Sequence, residues 1–185
     1  MVSTSGIFAS NLPCRQPLQT AEQALIAGEV LTQTKPYRFG GGAVVAQMYL
    51  PLLPERVWSQ LTDYPRWVEY FPDIVQSQTL ESVSKAGMRR LYQRGRKHFL
   101  MLTAEVEIYL KVFEKQAQQL QFRLEKGTFS DFSADLTLQS FSQGTLLTYA
   151  VQAAALIPVP GFLIEQAMQH DLPGNMKTMR QVMCG

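Results

Sequence analysis

Between Leu102 and Val112 the chain alternates strictly. Leu102, Ala104, Val106, Ile108, Leu110 and Val112 are apolar, and Thr103, Glu105, Glu107, Tyr109 and Lys111 interleave with them. A period of two sends each set to its own face of a strand. The segment therefore belongs in an antiparallel sheet with one side buried and the other wet. Leu120, Phe122 and Leu124 alternate likewise, as do Phe132, Ala134, Leu136 and Leu138 against Asp131, Ser133, Asp135 and Thr137. A sheet with one apolar face needs a cover.

The same period places strands near 43–50, 75–83, 87–98, 101–114, 118–127, 131–140 and 145–155. Ser142-Gln143-Gly144 is a hairpin turn, and Leu147, Tyr149 and Val151 are the inner residues of the last strand. The cover comes at the end. Met168, Leu172, Met176, Met179 and Met183 step by three or four, which is the stripe of a helix running from about Pro160 to Met183. Pro173-Gly174 is expected to kink or split that helix. Two short helices follow the first strand. Pro54 and Glu55 open one, with Val57, Trp58 and Leu61 on its inner face. Asp63 caps the other, with Trp67, Val68 and Phe71 inward and Pro72 at its end. Thr20 to Gln23 has capping-box spacing for a helix ending near Gly28, residues 1–19 read as a flexible tail, and 20–185 as one domain. Gly40-Gly41-Gly42 is a hinge or turn before the first strand, and no Lys-Ser/Thr follows to make it a phosphate loop.

Several function classes lose support at this level. With a net charge of +2, no general attraction to nucleic acid follows, and nucleic acid is not an expected partner. Cys14 and Cys184 form neither a disulfide framework nor a metal set, which favours a reducing, cytoplasmic setting. His98 and His170 fall in different elements, so no metal and no cofactor is expected. No basic start precedes a long apolar run. Asn11-Leu12-Pro13-Cys14 has the look of a lipoprotein box, but Pro13 stands where a small residue is needed. The apolar stretch 153–164 is broken by Pro158 and Pro160, so a protein without a membrane span is expected. No serine sits in a nucleophile elbow, Glu105 and Glu107 share the wet face, and no catalytic residue is assigned.

Motifs spread from about Glu22 to Met183 resemble those of the START-related helix-grip superfamily (SRPBCC), in its polyketide cyclase/dehydrase and coenzyme Q-binding branch. They are Gly28-Glu29-Val30-Leu31, Val57-Trp58, Leu61-Thr62-Asp63-Tyr64, Phe71-Pro72, Gly127-Thr128-Phe129 with Phe132, Gly144-Thr145 through Tyr149, and Leu172, Asn175, Met176 and Arg180. Ala134-Asp135 stands where that group often has Gly-Trp, and Thr128 where it often has an acidic residue. The resemblance implies an α+β helix-grip fold: a curved antiparallel sheet of about seven strands wrapped around a long C-terminal helix, with a cavity between them.

On that basis the expected function is binding or transfer of a hydrophobic small molecule, whether lipid, quinone, isoprenoid or polyketide-like. The cavity residues would be Tyr92, Arg94, Val106, Ile108, Leu110, Phe122, Phe132, Leu136, Tyr149, Met168, Leu172, Met176 and Met179. Tyr70, Phe71 and Pro72 would form one lip of the entrance, Ile157, Pro158, Val159 and Pro160 the other, with transient membrane contact there. Trp58, Trp67 and Phe71 also read simply as packing aromatics. Residues 88–99 carry charge on both parities. One reading is a solvated basic face, and the other sends Arg94 and Tyr92 to a ligand head group. Two alternatives stand beside the carrier: an aromatase/cyclase-type enzyme using Tyr92, Arg94 and Tyr149, and an interaction module using the basic segment 89–98 on a macromolecular partner.

Overall fold

The computed structural model describes residues 20–37, 40–80, 88–99, 102–156 and 160–185, with side chains described for all of these except 97–99 and 102–104. The proposed tail 1–19 lies outside the described residues, as do Ile157, Pro158 and Val159.

Thr20 builds the expected capping box. Its hydroxyl accepts from the Gln23 amide, and the Gln23 side chain accepts from the Thr20 amide. This starts helix α1, Ala21–Ile26. Strands β1 (Leu31–Thr34) and β2 (Gly42–Leu50) follow, then helix α2 (Pro54–Leu61), a single 3-10 turn (Tyr64–Arg66) and the short helix α3 (Trp67–Tyr70). The next six strands are β3 (Ile74–Leu80), β4 (Met88–Phe99), β5 (Leu102–Lys115), β6 (Gln119–Gly127), β7 (Phe129–Phe141) and β8 (Gly144–Ala155). Helix α4, Gly161–Cys184, closes the chain.

Among the described residues the sheet is one antiparallel layer of eight strands in the order β1-β2-β8-β7-β6-β5-β4-β3. It has one strand more than the period-two count. Leu31–Thr34 is too short and too exposed to alternate, yet it pairs with residues 44–47 as an edge strand. The fold is α+β of helix-grip type, as expected. The sheet bends through three register shifts, between Ile74 and Gln76, Tyr109 and Leu110, and Phe129 and Asp131. A bulge bends its strand and re-aims the side chains beside it.

Helix α4 packs against β2, β1, β8 and α3, which is one side of the sheet. Its buried stripe is Leu172, Met176, Met179 and Met183, and the helix runs unbroken through Pro173. Close approach is possible because β2 begins with glycine. A Cβ on Gly42 would stand 2.7 Å from the Glu165 Cα atom. The glycine triplet therefore seats the helix as well as turning the chain. Asp63 makes no side-chain cap, and Val68, expected inward, is exposed, because α3 is a single turn that buries only Trp67 and Tyr70.

Gly127 ends β6 at φ +151°, and a Cβ there would meet the Glu107 carbonyl oxygen at 2.3 Å. An L side chain is strained at that backbone angle, and the nearest obstacle is main chain that cannot swing away. Gly127→Ala is expected to lose about 1–3 kcal/mol of stability in urea unfolding.

Candidate functional site

The inner face of the sheet is filled at its centre by Leu91, Val112, Leu120, Leu136 and Leu147, all fully or almost fully buried. Beside α3 the filling is incomplete. A chamber of about 180 Å³ remains, lined by Trp67, Phe71, Ile74, Gln93, Gly95, Val106, Ile108, Leu110, Phe122, Phe129, Phe132, Ala134 and Tyr149. The sheet bulges explain why it opens there. Ile74, Ile108, Leu110 and Phe129 sit at or beside the three register shifts, and all four line the space.

The roof is the short aromatic helix. The Trp67 indole N–H donates to the Leu61 carbonyl at 2.9 Å, which fixes the ring. Trp67 stacks on Phe71 with ring centres 5.4 Å apart and leans on Phe122 at 5.0 Å. Phe71 meets Tyr149 edge-on at 6.1 Å, and Phe129 and Phe132 pair at 5.7 Å. Flat, rigid rings that already pack against one another cannot easily collapse into a leftover space, so the chamber is held open by its own walls.

Gln93 is the lining residue with a side-chain amide, and it is braced from behind by residues that do not themselves line the chamber. The Tyr64 hydroxyl donates to Glu114 at 2.7 Å, and Arg89 pairs with the same carboxylate at 2.7 Å. The Ser77 hydroxyl donates to the Tyr64 carbonyl at 2.6 Å, and the Gln93 amide nitrogen donates to Ser77 at 3.2 Å. Burial first, then the Glu114 contact, holds the Tyr64 phenol above the ordinary tyrosine range. Burial alone does the same for Tyr149, so both rings stay neutral at physiological pH.

Of the residues expected around a cavity, Val106, Ile108, Leu110, Phe122, Phe132 and Tyr149 come together on the chamber wall. Leu136, Leu172, Met176 and Met179 are buried in the core instead, and Met168 packs against that core, half-buried. None of the five lines the chamber, because α4 lies over the β2 side of the sheet while the chamber opens beneath α3. Tyr92 and Arg94 lie on the opposite face of β4. The Tyr92 hydroxyl donates to Glu107 at 2.8 Å and its ring packs on Tyr109. The pairing register explains this. Arg94 stands opposite Glu107 and Arg96 opposite Glu105, on the wet face of β5. The parity that points inward is Leu91, Gln93 and Gly95.

Among the expected entrance residues, Phe71 lines the chamber. Tyr70 is fully buried with its hydroxyl on the Gln60 carbonyl, and Pro72 and Pro160 are exposed. Gln93, Ile74, Gly95, Phe129 and Ala134 also line the chamber, although they are not in the expected set; alternation puts Ala134 on the apolar face without marking it as lining, and Trp67 reads from sequence only as packing. A signal for Gln93 does exist: the wet parity of β5 fixes the wet parity of its partner strand.

A wider surface cleft of about 500 Å³ lies where the end of α4 meets α2, lined by Arg56, Ser59, Gln60, Arg66, Val182, Met183, Cys184 and Gly185. Its lining is mostly polar, and Arg66 is engaged with Glu69 at 3.0 Å. Among the described residues no group of three or more His, Cys, Asp or Glu side chains could hold a metal ion, and no helix is long and apolar enough to cross a membrane.

A one-layer sheet curled over a C-terminal helix, with an apolar chamber on its inner face, defines a helix-grip fold. Residues 50–180 match the family described as polyketide cyclase / dehydrase and lipid transport, and the chain belongs to that family. Solved structures share the fold at low identity. A STAR-related lipid transfer protein from Xanthomonas axonopodis superposes with a TM-score of 0.67 at 14% identity, over 84% of this chain and 94% of that one. A START superfamily protein from Mycobacterium smegmatis gives 0.63 at 15%, over 76% and 96%. The Zhui aromatase/cyclase from Streptomyces sp. R1128 gives 0.59 at 11%, over 76% and 90%. No curated protein matches the chain in sequence.

Proposed function

We propose that this protein binds or carries a hydrophobic small molecule in the chamber beneath α3. The observation that carries this reading is the chamber itself, an apolar, aromatic-walled space among deeply buried core residues. Protein interiors rarely leave such room, and a pocket of this character is where apolar ligands bind. At about 180 Å³ it is smaller than the usual drug-sized pocket. It suits one ring, or the end of a longer isoprenoid or acyl chain whose remainder lies outside.

The protein contains two tryptophans, and Trp67 alone touches the chamber. A Trp58→Phe variant therefore reports on the site through a single indole. Titration with toluene, farnesol, decanoic acid and 2-naphthol is expected to shift or quench Trp67 emission saturably for at least one compound. An unchanged spectrum across the whole set would overturn the proposal.

A further inference from the structure

The chamber wall is interrupted by polar atoms at two places, and their bearing on the choice of guest rests on the chamber being a binding site, as proposed. Tyr149 is 7% exposed and Gln93 is 8% exposed, and both line the chamber. They stand on β8 and β4, four places apart in the sheet order, so they approach the space from separate walls. The orientation of Gln93 is set by its neighbours. Ser77 commits its hydroxyl proton to the Tyr64 carbonyl, so its oxygen is left as an acceptor and must face the Gln93 nitrogen. The Gln93 carbonyl oxygen is thereby turned away from Ser77. Among the described residues nothing donates to that oxygen, and nothing accepts from the Tyr149 hydroxyl. Both atoms keep accessible surface and carry no protein partner among the described residues, so each is open to a hydrogen bond with a guest.

Six of the thirteen described lining residues are aromatic: Trp67, Phe71, Phe122, Phe129, Phe132 and Tyr149. Flat walls suit a flat guest. A cavity of about 150 Å³ takes a benzene ring, so about 180 Å³ admits one substituted ring and excludes a fused polycycle as a whole. We infer that the chamber selects a single-ring aromatic compound carrying a hydroxyl group that donates to Gln93 and a second oxygen that accepts from Tyr149. Burial keeps Tyr149 protonated, so it remains a donor across the physiological range.

Calorimetric titration with four matched compounds tests this. 4-Hydroxyacetophenone has both groups, 4-ethylphenol lacks the carbonyl, 4-methylacetophenone lacks the hydroxyl, and 4-ethyltoluene lacks both. The first is expected to bind tightest, with a loss of about tenfold for each missing group. Tyr149→Phe is expected to erase the preference for 4-hydroxyacetophenone over 4-ethylphenol. Gln93→Met is expected to erase its preference over 4-methylacetophenone. The ligand series on the unaltered protein decides the matter even if a variant fails to fold. If 4-ethyltoluene binds as tightly as 4-hydroxyacetophenone, the polar selection is wrong and apolar binding stands. If none of the four binds, the polar selection falls, and the failure of the fluorescence panel as well would show that the binding role falls with it.

Discussion

Trp67→Ala is expected to lose about 3–5 kcal/mol of folding stability, the range for removing a buried large aromatic. Trp67 is 3% exposed, and it does three things at once. Its indole N–H ties α3 to the end of α2 through the Leu61 carbonyl. Its ring stacks on Phe71 and leans on Phe122. It also roofs the chamber, so truncation enlarges a space that is already there and leaves the Leu61 carbonyl short of a donor. Val68→Ala, one residue on and exposed, is the matched control and is expected to stay within about 0.5 kcal/mol of the parent. Urea unfolding of both measures the difference. A Trp67→Ala loss below about 1 kcal/mol would show that α3 is only loosely attached, against the packing described here.

Ala134→Phe is expected to weaken binding of the best compound about 100-fold while leaving the protein folded. Ala134 is 3% exposed on β7 and lines the chamber, so a benzyl group there grows into the space that a guest would use. Filling a void restores contacts that its lining otherwise lacks, so stability is expected to hold or to rise slightly. Met179→Leu serves as the contrast. It keeps side-chain volume at a buried position away from the chamber, so binding should not change and stability should shift by less than about 1.5 kcal/mol. Equal loss of binding in both variants would point to a general loosening rather than to a site.

The sheet was legible because its strands are long and wet on one side. Leu102 to Val112 and Phe132 to Leu138 reveal their faces by alternation, and the observed strands begin and end within a few residues of those readings. Edge strand β1 was not legible, since four mostly exposed residues carry no period. The α4 stripe reads correctly as a buried face, but a stripe does not say which part of a sheet it lies on. That depends on Gly42 and Glu165 meeting across a distance no local pattern encodes. Hence the methionines, expected at the cavity, belong to the core. Tyr92 and Arg94 fall outside the chamber for a related reason. Both parities of β4 carry charge, and only its register with β5 decides between them. Six chamber residues were legible because they lie on strands whose inner face is unambiguous. Ile74 and Phe129 were not, because they sit at bulges, where the period breaks.

On the proposed reading the guest lies under α3 and not under α4. A crystal soaked with 4-bromophenol locates the bromine by its anomalous signal. A peak among Trp67, Phe122 and Phe132 is expected. A peak against Met168 and Leu172 on α4 instead, or bromine only on the outer surface, would contradict that reading.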